Sequence, residues 1–153
     1  MFTKEKNYEK ICSFYASDYH LEMIMIPYIN KKIEEQADVI IITERNLVQT
    51  AKEVIQKINL PENKKGKLLR IDWNNNNIEN VRKNEKTKEK VIFVIGNKNY
   101  IEEKNKELNK MQNENQKFKI VNCYSIEDVH ENITQIVANH SKILNTTEEK
   151  EIK

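Results

Sequence analysis

The runs Val39-Ile40-Ile41-Ile42 and Val91-Ile92-Phe93-Val94-Ile95 decide the fold class. Both are continuously apolar and rich in β-branched residues, with no polar position between. Successive side chains of a strand point to opposite faces, so a strand apolar throughout must be covered on both sides. Such strands belong inside a sheet held between two helical layers. Three more short runs of the same kind, at 11–16, 68–73 and 118–124, bring the expected strands to five.

Helical patterns lie between these runs. Leu47, Val48, Ala51, Val54, Ile55 and Ile58 recur at the spacing of one helix face. Ile126, Val129, Ile133, Ile136, Val137, His140, Ile143 and Leu144 extend a similar stripe over about five turns of 3.6 residues, with Ser125 and Asp128 as a capping box. A first helix over 18–36 is apolar nearly all round and contains Pro27, which predicts a kink and burial in the core. Short helices are expected around Ile78 and Val81 and, at the periphery, on the thin stripe Ile101, Leu108 and Met111. Strands alternating with helices imply a parallel sheet with crossover connections. The expected fold is α/β, a three-layer sandwich on a mostly parallel five-stranded sheet, RecA-like or Rossmann-like.

The 153 residues are the size of one domain, taken here as 1–144 with a polar, disordered tail over 145–153. Lys+Arg 26 against Asp+Glu 24 leaves a net charge of +2, and only Arg45, Arg70 and Arg82 of the basic residues are arginine. That balance argues against nucleic acid as a partner, because bidentate phosphate recognition favours Arg. Cys12 and Cys123 stand apart in apolar runs, which predicts buried thiols. No stretch reaches the ~18 apolar residues of a membrane span, and the charged N-terminal segment has no apolar signal region behind it. A cytoplasmic location and no membrane contact are expected.

Ligands of open parallel sheets bind beyond the carboxyl ends of the strands. That rule selects Asp18, Tyr19, His20, Glu44, Arg45, Asp72 and Trp73 as candidate ligand-binding residues. Asp18, Glu44 and Asp72 would form a Mg²⁺-dependent phosphoesterase or nuclease site if their strands were neighbours. Phosphate-cradling loops need glycines, and Gly66 and Gly96 are the only two in the chain. No nucleotide, metal or other cofactor is therefore called for by motif. Lysine-mediated nucleic-acid binding through 83–117 is a third reading.

The first 45 residues carry a resemblance. Lys10-Ile11-Cys12-Ser13-Phe14-Tyr15-Ala16-Ser17, then Leu21, Ile26-Pro27-Tyr28-Ile29 and the strand Val39-Ile40-Ile41-Ile42, resemble the opening of MEDS-type sensory domains. Those domains open with a Cys-x-x-Tyr element, matched by Cys12 and Tyr15, and an apolar helix interrupted by Pro. Lys10 and Ile11 stand where a His usually precedes the Cys, and residues 32–38 hold no glycine for the family's turn. The family is similar to RecA-like and KaiC-like ATPases without the phosphate loop. The resemblance implies a non-catalytic sensory or protein-interaction domain of bacterial regulation. It would bind a small molecule or a protein partner at the strand ends, with self-association as a further expectation.

Overall fold

The computed structural model describes residues 8–83, 89–111, 118–145 and 149–151. Its elements in chain order are β1 (Tyr8–Tyr15), α1 (Asp18–Glu34), β2 (Asp38–Thr43), α2 (Val48–Lys57), α3 (Glu62–Leu69) and α4 (Asn80–Lys83). There follow β3 (Lys90–Ile95), α5 (Lys98–Met111), β4 (Phe118–Ser125), α6 (Ile126–Val129), α7 (Ile133–Ala138), β5 (Lys142–Leu144) and β6 (Glu149–Glu151). The sheet order is β2-β3-β4-β1-β5-β6. The first five strands in that order are parallel, and only β6 runs antiparallel, against β5.

The two-sided burial read from the apolar runs is present. Val91, Phe93 and Ile95 pack with α1, α2 and α3 on one face, while Ile92 and Val94 pack with α4, α5, α6 and α7 on the other. Ile41 and Ile42 divide in the same way. Each such side chain contributes roughly 1.5–3 kcal/mol on burial. The result is the expected three-layer, RecA-like sandwich. At the amino end of the sheet the register pairs Asp38 with Lys90, whose buried ammonium lies 3.6 Å from the Asp38 carboxylate.

The first helix is one continuous element despite Pro27. Pro27 has no N–H to give the Met23 carbonyl one turn back, and the helix runs on through that missing bond. Leu21, Ile24, Met25, Ile26, Tyr28 and Ile29 are buried, leaving Tyr19 and Met23 as its exposed large hydrophobic side chains. The helix ends in a Schellman motif: Ala37 N–H donates to the Lys32 carbonyl and Gln36 N–H to that of Ile33. Gln36 takes φ 68°, the left-handed conformation usually given to glycine. The turn that lacks a glycine in sequence is therefore made all the same.

Three stretches differ from the sequence reading. Residues 68–73 are not a strand. Leu68 and Leu69 end α3, and Trp73 folds back so that its indole N–H donates to the Leu68 carbonyl at 3.0 Å. The alternation Leu69, Ile71, Trp73 imitates a strand, but Leu69 is exposed, and Leu68 and Trp73 are the residues in the core. The stripe at 126–144 is not one helix either. It breaks into α6 and α7, and its last residues form β5, the fifth parallel strand. Glu149–Glu151, read as part of a disordered tail, extends the sheet as β6.

The Asn74-Asn75-Asn76-Asn77 run protects an edge. Thr43 N–H donates to the Asn75 carbonyl at 2.8 Å, and Asn75 Nδ2 donates to the Ile41 carbonyl at 2.9 Å. These bonds occupy the open side of β2, where unpaired backbone would otherwise invite another strand. Both cysteines are buried and free, and burial raises the Cys12 thiol to about 11. No helix among the described residues is long and apolar enough to cross a membrane.

Candidate functional site

The ends of β1 and β2 meet in one polar cluster. Ser17 caps α1, accepting from His20 N–H at 3.1 Å, and His20 Nδ1 accepts from Ala16 N–H at 2.9 Å. The return bond goes to the residue before the cap and not to Ser17 itself, a variant of the capping box that gives His20 a local role in starting the helix. Arg45, in the loop after β2, donates from Nε to Asp18 Oδ1 at 3.0 Å and from a terminal nitrogen to the Tyr15 hydroxyl at 2.7 Å. A second terminal-nitrogen bond to Asp18 completes the clamp, and the guanidinium lies 5.4 Å from the Tyr15 ring centre. Tyr19 bonds the Glu53 carboxylate on α2.

One turn beyond Asp18 sits Glu22, fully buried between α1 and α2. Its Oε2 accepts from Thr50 at 2.5 Å, while Oε1 has no hydrogen-bond partner. Burial is the main force pushing its carboxyl up to about 7. The Thr50 hydrogen bond opposes that shift, as does Arg45, whereas the charges of Asp18 and Glu53 add to it. Glu22 and Thr50 were not among the candidate ligand-binding residues, and Tyr15 entered only as the Tyr of the Cys-x-x-Tyr element. Glu22 carries one usable signal, a lone charge inside Leu21-Glu22-Met23-Ile24, one turn from Asp18.

The remaining strand-end candidates lie apart. Glu44 reaches across to the β3–α5 turn, accepting from Asn97 N–H at 2.9 Å, and a side chain on Gly96 would come within 2.9 Å of it. Asp72 lies in a turn beside the edge strand, bonded to Asn74 N–H at 3.0 Å, and lines a hollow of about 230 Å³ with Ile71, Asn75 and Asn80. Trp73 is a core residue. Among the described residues no three His, Cys, Asp or Glu side chains are placed to hold a metal ion. The Asp18–Glu44–Asp72 site is thus not assembled. Of the stretch 83–117 read for nucleic-acid binding, residues 84–88 and 112–117 lie outside the described residues.

A second polar centre lies on the other face of the sheet. A cleft of about 390 Å³ runs between α5 and α7, over β4 and the start of β1. Its floor holds Asn105 and Asn122, both buried, and the half-buried His140. Asn105 Nδ2 donates to Asn122 Oδ1 at 2.8 Å, and Asn122 Nδ2 returns a bond to Asn105 Oδ1 at 3.1 Å. Asn122 Nδ2 also lies 3.0 Å from His140 Nε2, and His140 Nδ1 lies 2.6 Å from the Ile136 carbonyl. A carbonyl can only accept, so the His140 proton is on Nδ1, and Nε2 accepts from Asn122. Burial holds His140 below its ordinary value of 6.5, keeping the ring neutral. Ile101, Ile136 and Tyr124 supply apolar wall, and Lys10, Lys98 and Lys106 line the cleft with Glu102.

The sequence places His140 on an apolar stripe, and its two ring nitrogens are both bonded there. The partners could not be read from sequence, since Asn105 and Asn122 are 17 residues apart and meet only through the β3-α5-β4 crossover. The volume lies in the range of small-molecule sites, roughly 300–1,000 Å³. No family model matches the chain, and no curated protein or solved structure is significantly similar to it.

Proposed function

We propose that this chain is a non-catalytic sensory domain of bacterial regulation that binds a small polar ligand in the cleft between α5 and α7. The observation that carries the reading is the preformed polar floor. Buried amides on the core side of a central strand cost stability unless every bond is made. Here Asn105, Asn122 and His140 make those bonds at the bottom of an open cleft rather than in a closed core. The side chains that would otherwise suit chemistry are engaged elsewhere: Asp18 by Arg45, Glu44 by Asn97, and both thiols by burial. The resemblance to MEDS-type domains at the first 45 residues supports the sensory role.

A second reading keeps the ligand or partner at the strand ends, and the buried, unpartnered Oε1 of Glu22 favours it. Thermal-shift screening against sugar phosphates, nucleotides, hydroxy acids and amino acids separates the two. A ligand whose shift shrinks in Lys98→Ala/Lys106→Ala and survives in Arg45→Ala supports the cleft. The reverse pattern moves the site to the strand ends.

A further inference from the structure

We infer that the cleft takes a hydroxyl-bearing anion, a sugar phosphate or a polyhydroxy carboxylate, with its hydroxyls on the amide floor and its charge among the lysines. This rests on the reading of the cleft as the ligand site and adds the class of ligand.

The floor dictates the first half of that class. Each amide nitrogen has two protons. Those of Asn105 go to the Ile101 carbonyl and to Asn122 Oδ1, both at 2.8 Å. Those of Asn122 go to Asn105 Oδ1 at 3.1 Å and His140 Nε2 at 3.0 Å. The His140 Nδ1 proton goes to the Ile136 carbonyl. The two backbone carbonyls, which can only accept, fix every orientation in the chain of bonds. All the N–H donors of the three floor side chains are therefore engaged. Each amide oxygen accepts one side-chain bond and keeps a second lone pair. A ligand resting on this floor must donate, and hydroxyls do so without adding positive charge.

The lysines dictate the second half. Lys98 and Lys106 line the cleft with one carboxylate, that of Glu102, which Lys98 Nζ contacts at 2.7 Å. Two cations against one anion disfavour an ammonium ligand and favour a phosphate or carboxylate. The exposed amides of Asn109, Gln135 and Asn139 can turn either their donors or their acceptors toward such a group.

Isothermal titration of the full chain with D-ribose 5-phosphate, gluconate, D-ribose and inorganic phosphate tests the class. At least one of the two hydroxylated anions is expected to bind more tightly than either ribose or phosphate. Its affinity should fall by about tenfold or more in Lys98→Ala/Lys106→Ala. Binding of ribose 5-phosphate alone assigns the phosphate ester, and binding of gluconate alone assigns the carboxylate. Ribose binding as tightly as its phosphate overturns the anionic class, as does no heat from either anion at millimolar concentration. In both cases a different ligand that still depends on Lys98 and Lys106 leaves the cleft itself standing. Binding of ribose 5-phosphate that is lost in Arg45→Ala and intact in the lysine variant overturns the cleft as the site.

Discussion

Asn105 on α5 and Asn122 on β4 face each other amide to amide, joined by reciprocal hydrogen bonds of 2.8 and 3.1 Å in an otherwise apolar layer. Removing one partner strands the other's buried donor and acceptor, whereas removing both strands neither amide and leaves the half-buried His140 Nε2 without its Asn122 donor. Asn105→Leu and Asn122→Leu should each cost about 1–3 kcal/mol, and the double variant less than their sum. A double-mutant cycle by urea denaturation measures the coupling, and simple additivity would contradict the pair.

The Glu22 carboxyl gives a pH dependence of known sign. Its folded value of about 7 lies above the ordinary 4.5, so the native state holds the proton more tightly than the unfolded chain. Its contribution is full below pH 4.5 and is lost as pH rises toward 7. Glu22→Gln keeps a partner for Thr50 and cannot ionise. It should therefore be more stable than wild type at pH 8, by about 1–3 kcal/mol, with the difference closing at pH 4.5. Denaturation at a series of pH values provides the check, and parallel curves would rule out this account of Glu22.

His140 works in the opposite direction. Its folded value lies below 6.5, so the unfolded chain takes up a proton that the native ring resists, and stability falls as pH drops below 6.5. Protonation would also set an Nε2 proton against the Asn122 amide donor. His140→Gln can still donate to Ile136 and accept from Asn122. Its stability at pH 7.5 should stay within about 1 kcal/mol of wild type, with a shallower loss between pH 6.5 and 5. Histidine titration by NMR reads the same shift directly, and a value above 6.5 in the folded protein would contradict it.

How far the sequence reached follows from the range of each interaction. Val91–Ile95 declared its two-sided burial because alternation is a local property, and α1 declared its core role through its apolar content. Residues 68–73 and 142–144 did not. Trp73 anchors a turn by bonding a carbonyl five residues back, and Lys142–Leu144 becomes a strand by pairing with β1, about 130 residues away. At the site, Asp18, Tyr19 and Arg45 were legible because strand ends gather there, but Asp72 depended on a strand that is absent. The cleft was invisible because its floor joins α5, β4 and the chain after α7, and no motif records that meeting.

Gln36 offers a stability gain. A non-glycine residue in the left-handed region costs roughly 1 kcal/mol or more, and the Schellman bonds hold Gln36 there. Gln36→Gly should raise the midpoint of thermal unfolding, corresponding to about 1 kcal/mol. A lowered midpoint would show that the Gln36 side chain contributes more than its backbone loses.

The central claim is that the cleft between α5 and α7 receives the ligand. It is tested most directly by two-dimensional NMR of the labelled protein during titration with the strongest hit of the thermal-shift screen. The account predicts that the largest shifts fall on Asn105, Asn122, Tyr124, Gln135 and the His140 ring, with Tyr15, Asp18 and Arg45 little changed. Shifts centred on Tyr15, Asp18, Glu22 and Arg45, with the cleft silent, would contradict it.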